Sequence, residues 1–512
     1  MKIIYRRGAM RANTEHLQET ISGRAFLREH GLMAGAVLAA LVPRTLAMLG
    51  YPDALWFGDS VPYLRSAVRM APDTTRPSGY PLMLEALKHL RSLLGVVLVQ
   101  HVMGVAIGIG VYALVWRYGR AAWPRRAWLP GLIGTAVAVP VLFDAYQIEL
   151  EHLLLSDTLF AFLVVAAVVI LLWQPHVTWS MGAAAGLALG LASITRSVGL
   201  PLLAVVIAWL FLRRHGIRAA VVPAIALAAG CLLPIGGYTL WYHSAHGKYA
   251  ITGTSGVFLY GRTMDFADCS VIKPKPALQK LCPRRHPKNV SGAYWALWGP
   301  KTPFDHIRGG RVGGDALAGR FAVAAIEAQP LGYARVVARD TLRAFAWRRT
   351  PYPRPFTFQE YRFPAKERPL TAQERSAARS YARAGGDVRV VRPYADWARA
   401  YQRWIHLPGT LLGAMLLAAA AGIVPGRRPR RRALLPLLLS IALLVVPAAT
   451  ADFDYRYVLP AVPLAALAAG LAFIPRRQTG EPASSGATDR RDPDVRPDRI
   501  AETSASTQRE TW

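Results

Sequence analysis

The sequence predicts a mainly α, polytopic membrane protein of about ten transmembrane helices with an extracytoplasmic domain of mixed α/β structure. Three observations carry that expectation. Apolar runs of roughly 16–24 residues recur along the chain, close to the length that crosses a bilayer. Composition agrees: of 512 residues, 53% are hydrophobic and only 18% charged, with a mean hydropathy of +0.23. Basic residues gather in short loops between the apolar runs, which orients such a chain with those loops inside.

Taken in order, residues 1–30 are polar and hold Arg6, Arg7, Arg11, Arg24 and Arg28 ahead of an apolar run at 31–49. They read as a cytoplasmic segment leading into a signal anchor rather than a cleaved leader. A transmembrane module occupies 31–242, with outer loops at 50–79 and 144–156. Its second span ends near 116 and is followed by Arg117, Arg120, Arg125 and Arg126. Further spans fall near 128–143, 157–173, 180–195, 198–212 and 219–242. Residues 243–405 are polar and long enough for a small extracytoplasmic domain. Within it 314–348 reads helical, 248–262 is rich in Gly and β-branched residues and reads as strand or loop, and prolines at 273–276 and 351–355 mark irregular connections. Spans near 407–424, 433–450 and 457–474 form a C-terminal module, 406–475. Residues 476–512 lack an apolar period and read as a disordered cytoplasmic tail. With ten spans, the basic clusters at Arg213/Arg214/Arg218, 427–432 and Arg476/Arg477 all land on the side of the N-terminus.

The formal net charge of +30 is spread over these loops rather than over one soluble face. Anionic membrane lipids, not nucleic acid, are therefore the expected partners of that charge. Three cysteines are too few for a disulfide scaffold, and no CxxC or His/Cys array points to a metal site; no metal or cofactor is expected. Cys269 and Cys282, both on the outer side, could form a disulfide or remain free thiols, while Cys231 sits in a span as packing.

Topology sorts the charged residues. Asp59, Arg76, Glu149, Glu151, His152, Asp157, Arg196, Asp452, Asp454 and Arg456 all fall at outer ends of spans. Charge at membrane depth is expensive, so residues far apart in sequence that share one face point to a composite site between helices. Each also has a plainer reading. Asp59 or Ser60 would cap a short helix carrying Pro62 in its first turn, Ser156 or Asp157 would cap the next, and Arg44 or Arg196 would snorkel to the interface.

Asp59 in the first outer loop, then Arg76-Pro77 and Tyr80 at the next span, resembles the GT-C glycosyltransferases, in the branch of protein O-mannosyltransferases and aminoarabinose transferases. The resemblance covers roughly the first 210 residues and, more loosely, the last spans. It implies that Asp59 is the acceptor's base, that Arg76 contacts donor phosphate, and that Asp157 is a second acid at the next loop, approached by Glu151, Glu149 and His152. Thr195-Arg196 and Arg456-Tyr457…Pro460 match further positions, which adds Arg196 and Arg456 as phosphate ligands and Asp454 beside them. Two positions depart from the pattern: Ser60 stands where a second acid is common, and Thr75 where the aminoarabinose branch has an acid. Tyr63 and Tyr80 are candidate substrate contacts, as are Tyr260 and Arg262 (with Asp265) in the 243–405 segment. The implied activity is inverting transfer of a sugar from a polyprenyl-phosphate donor to an envelope glycan, lipid or protein, on the outer face of the cytoplasmic membrane. A transporter or flippase of lipid-linked glycans is the competing class, and a catalytically silent relative a third. Transporters show inverted repeats and midplane charge, whereas here no repeat is visible and the charges gather at one face.

Overall fold

The computed structural model describes residues 2–212, 217–382, 387–423 and 431–475, with side chains described among these from Phe26 onward except at Ile217 and Arg431. The expected disordered tail at 476–512 lies outside the described residues, as do Arg213, Arg214 and most of the 427–432 cluster. Residues up to Pro475 form one compact unit.

A helix lies over each of the ten apolar runs: α1 (Lys2–Gly50), α2 (Leu93–Ala122), α3 (Trp128–Phe143), α4 (Asp157–Leu172), α5 (Trp179–Thr195), α6 (Gly199–Leu212), α7 (Ile217–His246), α8 (Gly409–Ile423), α9 (Arg431–Thr450) and α10 (Val462–Phe473). Five stretches are long and apolar enough to cross a membrane singly, and two helix pairs bent by 51° and 50° raise that to seven. The pairs are α3 with Ala145–His152, and Tyr394–Trp404 with α8. Helices α4, α5 and α6 are apolar but shorter. The protein is a multi-pass membrane protein in which the crossing helices number five to seven among the described residues, by length and composition.

Packing follows from small residues. On α5, Gly182, Gly186 and Gly190 recur every fourth position, and a Cβ on any of them would meet the α7 backbone at Pro223, Leu227 or Cys231 within 2.1–2.5 Å. A face without side chains lets the two helices touch backbone to backbone, the usual way apolar helices associate in lipid. That contact fixes the outer end of α5, where Arg196 emerges.

The 243–405 segment differs from expectation. Among the described residues it contains no strand, only an isolated antiparallel bridge between Arg368 and Val388. The stretch expected as strand or loop includes the helix Ser255–Thr263. The reason is tertiary: a Cβ at Gly256 would lie 2.4 Å from the Asp315 carbonyl, so this glycine serves a close crossing with Gly310–Ala328 rather than a turn. Around that crossing Val257, Tyr260, Leu281, Phe304 and Phe321 form a small core of their own. Cys269 and Cys282 are joined by a disulfide at its edge. Later residues of the segment, including Phe358, Tyr361, Phe363 and Tyr381, pack instead into the main helical core.

Candidate active site

Two loops meet first. Leu55 N–H donates to the His152 carbonyl (3.0 Å) and Leu154 N–H to the Leu55 carbonyl (3.0 Å), zipping the first outer loop to the second. Fully buried Ser60 completes the seam: its hydroxyl donates to the Leu154 carbonyl (3.0 Å) and accepts from Phe57 N–H (2.9 Å). A carboxylate there could not donate, which gives this departure from the family pattern a structural cause. The seam sets Asp59, just before the helix Ser60–Arg69, on the same side as Asp157, the first residue of α4.

Asp59 occupies an N-cap position yet makes no capping hydrogen bond. Its Oδ1 instead accepts from Arg76 Nε (2.7 Å), with Arg76 Nη2 also at 2.7 Å, and its Oδ2 accepts from Arg456 Nη1 (2.8 Å). Capping is therefore not what holds this acid. Arg76 is aimed by a local turn: Asp73 Oδ1 accepts from the backbone N–H groups of Thr75 (2.8 Å) and Arg76 (2.9 Å), and Arg76 Nη1 donates to Thr75 Oγ1 (2.9 Å). Thr75, the other departure, thus helps to hold the arginine. Arg456 arrives from the opposite end of the chain, on the short helix Tyr455–Val458 that Asp454 caps. Its guanidinium lies 4.6 Å from the Phe57 ring centroid and 5.2 Å from that of Tyr457. Tyr361 donates to Asp454.

A second pair adjoins the first. Asp157 is fully buried and lies 2.5 Å from Arg196 Nη1 and 4.0 Å from Arg456 Nη1. The Arg196 contact closes that pair at Oδ1 and the Arg456 contact is a longer charge contact, leaving Oδ2 without a hydrogen-bond donor. Arg456 Nε is likewise without an acceptor in hydrogen-bonding geometry, Asp454 lying 3.5 Å away. Tyr63 closes one side, its hydroxyl 3.1 Å from Ser156 Oγ. The cluster therefore combines three acids (Asp59, Asp157 and Asp454), three guanidiniums and two polar atoms without a hydrogen-bond partner, Asp157 Oδ2 and Arg456 Nε. Burial raises the Asp59 carboxyl, but Arg76 and Arg456 outweigh it and hold the group well below the usual carboxylate range. Burial, opposed by Arg354 and Arg456, pushes nearby Glu360 up to about 7.

Other expected site residues go elsewhere. Glu151 is fully buried and accepts from Arg44 Nε (2.9 Å) and Nη2 (3.0 Å), with His101 Nδ1 at 2.9 Å. All of these contacts are internal, and Arg44 is buried rather than snorkelling. His152 lies between the Tyr51 carbonyl (2.9 Å) and His101 (3.3 Å), and the Tyr80 hydroxyl donates to Gln100 (2.9 Å); both are core residues. Glu149 is buried with Oε1 unpartnered, outside this cluster. Tyr260 donates to the Leu281 carbonyl (2.9 Å) from within the small core. Arg262 is fully buried among Asp265, Asp340 (2.7 Å) and Asp452 (3.6 Å). Those three carboxylates come within 4.8 Å of one another, spacing that would suit a metal ion, but the Arg262 guanidinium already supplies the cation. Reasoning from sequence missed Phe57, Tyr361, Glu360 and Tyr457; only Tyr457 carried a signal, as the neighbour of Arg456.

No family model matches the sequence, and no curated protein does. Among solved structures, the chain is similar to the Saccharomyces cerevisiae protein O-mannosyltransferase Pmt1-Pmt2 complex bound to the sugar donor (18% identity, TM-score 0.32, 52% of this chain and 39% of that one). It is similar to the oligosaccharyltransferase AglB from Archaeoglobus fulgidus in complex with an inhibitory peptide and a dolichol-phosphate (13%, 0.43, 87% and 50%). It is also similar to ArnT from Cupriavidus metallidurans bound to undecaprenyl phosphate (15%, 0.32, 86% and 77%). The chain spans 39% and 50% of the first two. All three are GT-C glycosyltransferases, which the chain resembles at low identity.

Proposed function

We propose that this chain is an inverting glycosyltransferase that moves a sugar from a polyprenyl-phosphate donor to a cell-envelope acceptor at the outer face of the cytoplasmic membrane. The observation that carries the proposal is the clamp on Asp59 by Arg76 and Arg456, with the Arg196–Asp157 pair beside it. Three guanidiniums suit a phosphate whose charge grows as it leaves, and the partly dry setting strengthens that attraction.

In the proposed reaction the acceptor oxygen attacks the anomeric carbon from the face opposite the phosphate. Its proton passes to an Asp59 oxygen, the carbon–oxygen bond to phosphate breaks, and the electron pair leaves on the polyprenyl phosphate held by Arg76, Arg196 and Arg456. One displacement inverts the anomeric centre. Asp157, whose Oδ2 has no donor, accepts there from a sugar hydroxyl while Oδ1 stays paired with Arg196. In the ligand-free arrangement Asp59 is a weak base because two arginines hold it ionised. Donor phosphate draws on the same arginines, and as they turn toward it the carboxylate regains basicity.

The test offers purified protein in lipid radiolabelled polyprenyl-phosphate sugars with a membrane and cell-wall extract, comparing wild type with Asp59→Asn and Arg76→Ala. Transfer by wild type that vanishes in Asp59→Asn is the expected result. Transfer that survives Asp59→Asn removes the base assignment, and no transfer with any donor removes the activity.

A further inference from the structure

The helix Tyr394–Trp404 forms a bent pair with α8, the two axes 50° apart. It does not follow α8 into hydrocarbon: Asp396, Arg399 and Arg403 stand within its 11 residues, and charge at membrane depth is costly. Its two faces differ. Ala395, Ala398 and Gln402 share one side and are buried against the protein. Trp397 and Trp404 each follow one of these by two residues, about 200° around the helix, which puts them on the other side. They are 51% and 74% exposed. Arg399 and Arg403, also exposed, flank the two rings.

The exposed face lies where the chain enters the membrane helices. Ile405 and, on α8, Leu411 and Leu417 continue it as exposed apolar surface. The first residue of α8 meets a second exposed group: Gly409 N–H donates to the Ala346 carbonyl (3.1 Å), in a stretch with exposed Leu342 before it and exposed Trp347 after it. This end of the helices is the one that holds Asp59. Val391 N–H donates to the carbonyl of Gly50 (2.9 Å), the last residue of α1, and Ala145 N–H in the second loop donates to the Ile405 carbonyl (3.1 Å).

We infer that Tyr394–Trp404 is an interfacial helix lying in the lipid headgroup layer, with Trp397 and Trp404 toward the acyl chains and Arg399 and Arg403 on headgroup phosphates. Lipid fits this face better than a second copy of the chain does. The tryptophan surface is continuous with the one that α8 presents to the bilayer, and indole beside guanidinium suits a boundary that is apolar on one side and anionic on the other. The buried side ties this depth to the candidate site. Gln402 donates to the Tyr361 carbonyl (3.1 Å) and accepts from Phe363 N–H (3.0 Å), while Tyr361 donates to Asp454 and stacks on Phe57 with ring centroids 5.6 Å apart. A docked helix therefore holds the Arg456 cluster beside the headgroups. On the transferase reading, that is the level of the phosphate of a lipid-linked donor; the docking itself does not rest on that reading.

The chain has three cysteines, one buried and two in the disulfide, so an introduced cysteine is the thiol open to labelling. The experiment uses the full chain in phosphatidylcholine nanodiscs loaded with a single copy each. An environment-sensitive fluorophore is placed on Trp397→Cys, on Trp404→Cys or, as a water-facing control, on Lys366→Cys, an exposed position of the same segment. Labels at 397 and 404 are expected to shift their emission to the blue, to be quenched by lipids carrying a doxyl group near the headgroup, and to lose quenching by aqueous iodide. The label at 366 is expected to do the reverse. Iodide quenching at 397 and 404 as full as at 366 overturns the inference. So does quenching strongest from doxyl groups at the bilayer centre, which makes the helix part of a crossing. Protection from iodide that appears only where two copies share a micelle also overturns it, since the face is then an interface between copies. Labels docked in lipid on a protein that transfers no sugar uphold the surface and remove only the transferase reading; labels open to water on a protein that transfers sugar remove only the docking.

Discussion

Two charged clusters at helix ends are built from the same residue types and do opposite things. Around Glu151, every guanidinium nitrogen of Arg44 donates: Nε and Nη2 to the carboxylate, Nη1 to the carbonyls of Ala40 (3.0 Å) and Leu142 (2.8 Å). His101 and Gln147 cover what remains, and the side chains of the Arg44–Glu151 pair are 3% and 0% exposed. Around Asp59 the paired side chains are 11–20% exposed, Asp157 Oδ2 lacks a donor, and Arg456 Nε lacks an acceptor. The first cluster has nothing left to offer a ligand. The second has charge of both signs, partial access and unfilled bonds. Ion pairing alone does not mark a site; the unfilled bonds left after internal pairing do.

The largest expected effect tests the open cluster. Asp59→Asn should cut transfer by about 10²–10⁴-fold, the range for losing a positioned base. The same change should tighten polyprenyl-phosphate binding, because the carboxylate that competes with phosphate for Arg76 and Arg456 is gone. Equilibrium binding of the lipid phosphate to wild type and variant checks this, and weaker binding by the variant would break the idea of a shared clamp. The closed cluster should fail differently. Arg44→Met leaves Glu151 buried and unpaired, at a cost of about 3–5 kcal/mol in stability. Thermal unfolding in detergent reads that loss. The double variant Arg44→Met/Glu151→Gln should recover much of it, since it removes the orphaned charge along with the pair.

That contrast explains what the sequence disclosed. The apolar runs were legible as helices because length and composition mark them, although among the described residues only five to seven are long enough to cross a membrane. The open cluster was legible through topology: Asp59, Arg76, Asp157, Arg196, Asp454 and Arg456 sit at span ends on one face, and the structure brings all six together. Glu151 and His152 carried the same signal, yet their partners Arg44 and His101 lie on α1 and α2, and the rotation of those helices about their axes is a packing outcome. The surroundings of Arg262 were illegible for a related reason. Its partners, Asp340 and Asp452, come from positions 78 and 190 residues further along, and nothing local reveals that they enclose it. The expected strand failed because Gly256 and Val257 were weighed as local propensity, whereas a close helix crossing decides their conformation.

A smaller effect separates the open cluster by pH. Glu360 titrates at about 7 and senses both Arg456 and Asp59. As pH rises through 7 it ionises and adds negative charge near the place proposed for phosphate. Anion binding favours the protonated form, so affinity should fall as pH rises, by linkage. Polyprenyl-phosphate binding should weaken by about fivefold between pH 6 and pH 8, a repulsion of roughly 1 kcal/mol. Glu360→Gln should flatten the profile, and an unchanged slope in that variant would assign the effect to another group.

The smallest expected effect is at Ser60. Its hydroxyl both donates to the Leu154 carbonyl and accepts from Phe57 N–H, so its role is to hold the seam between the two outer loops. Ser60→Ala should cost about 1 kcal/mol in stability, the worth of such a bond, while leaving transfer within a few-fold of wild type. Ser60→Asp is the sharper arm. It introduces the second acid of the pattern that the sequence resembles, yet a carboxylate cannot donate to Leu154 and would sit buried beside Asp59 without a guanidinium of its own. Stability should fall further than in Ser60→Ala, and transfer should fall with it. A gain in transfer by Ser60→Asp would mean that the site works with two acids after all, and that the Asp59–Arg76–Arg456 clamp is not the arrangement in which the chemistry occurs.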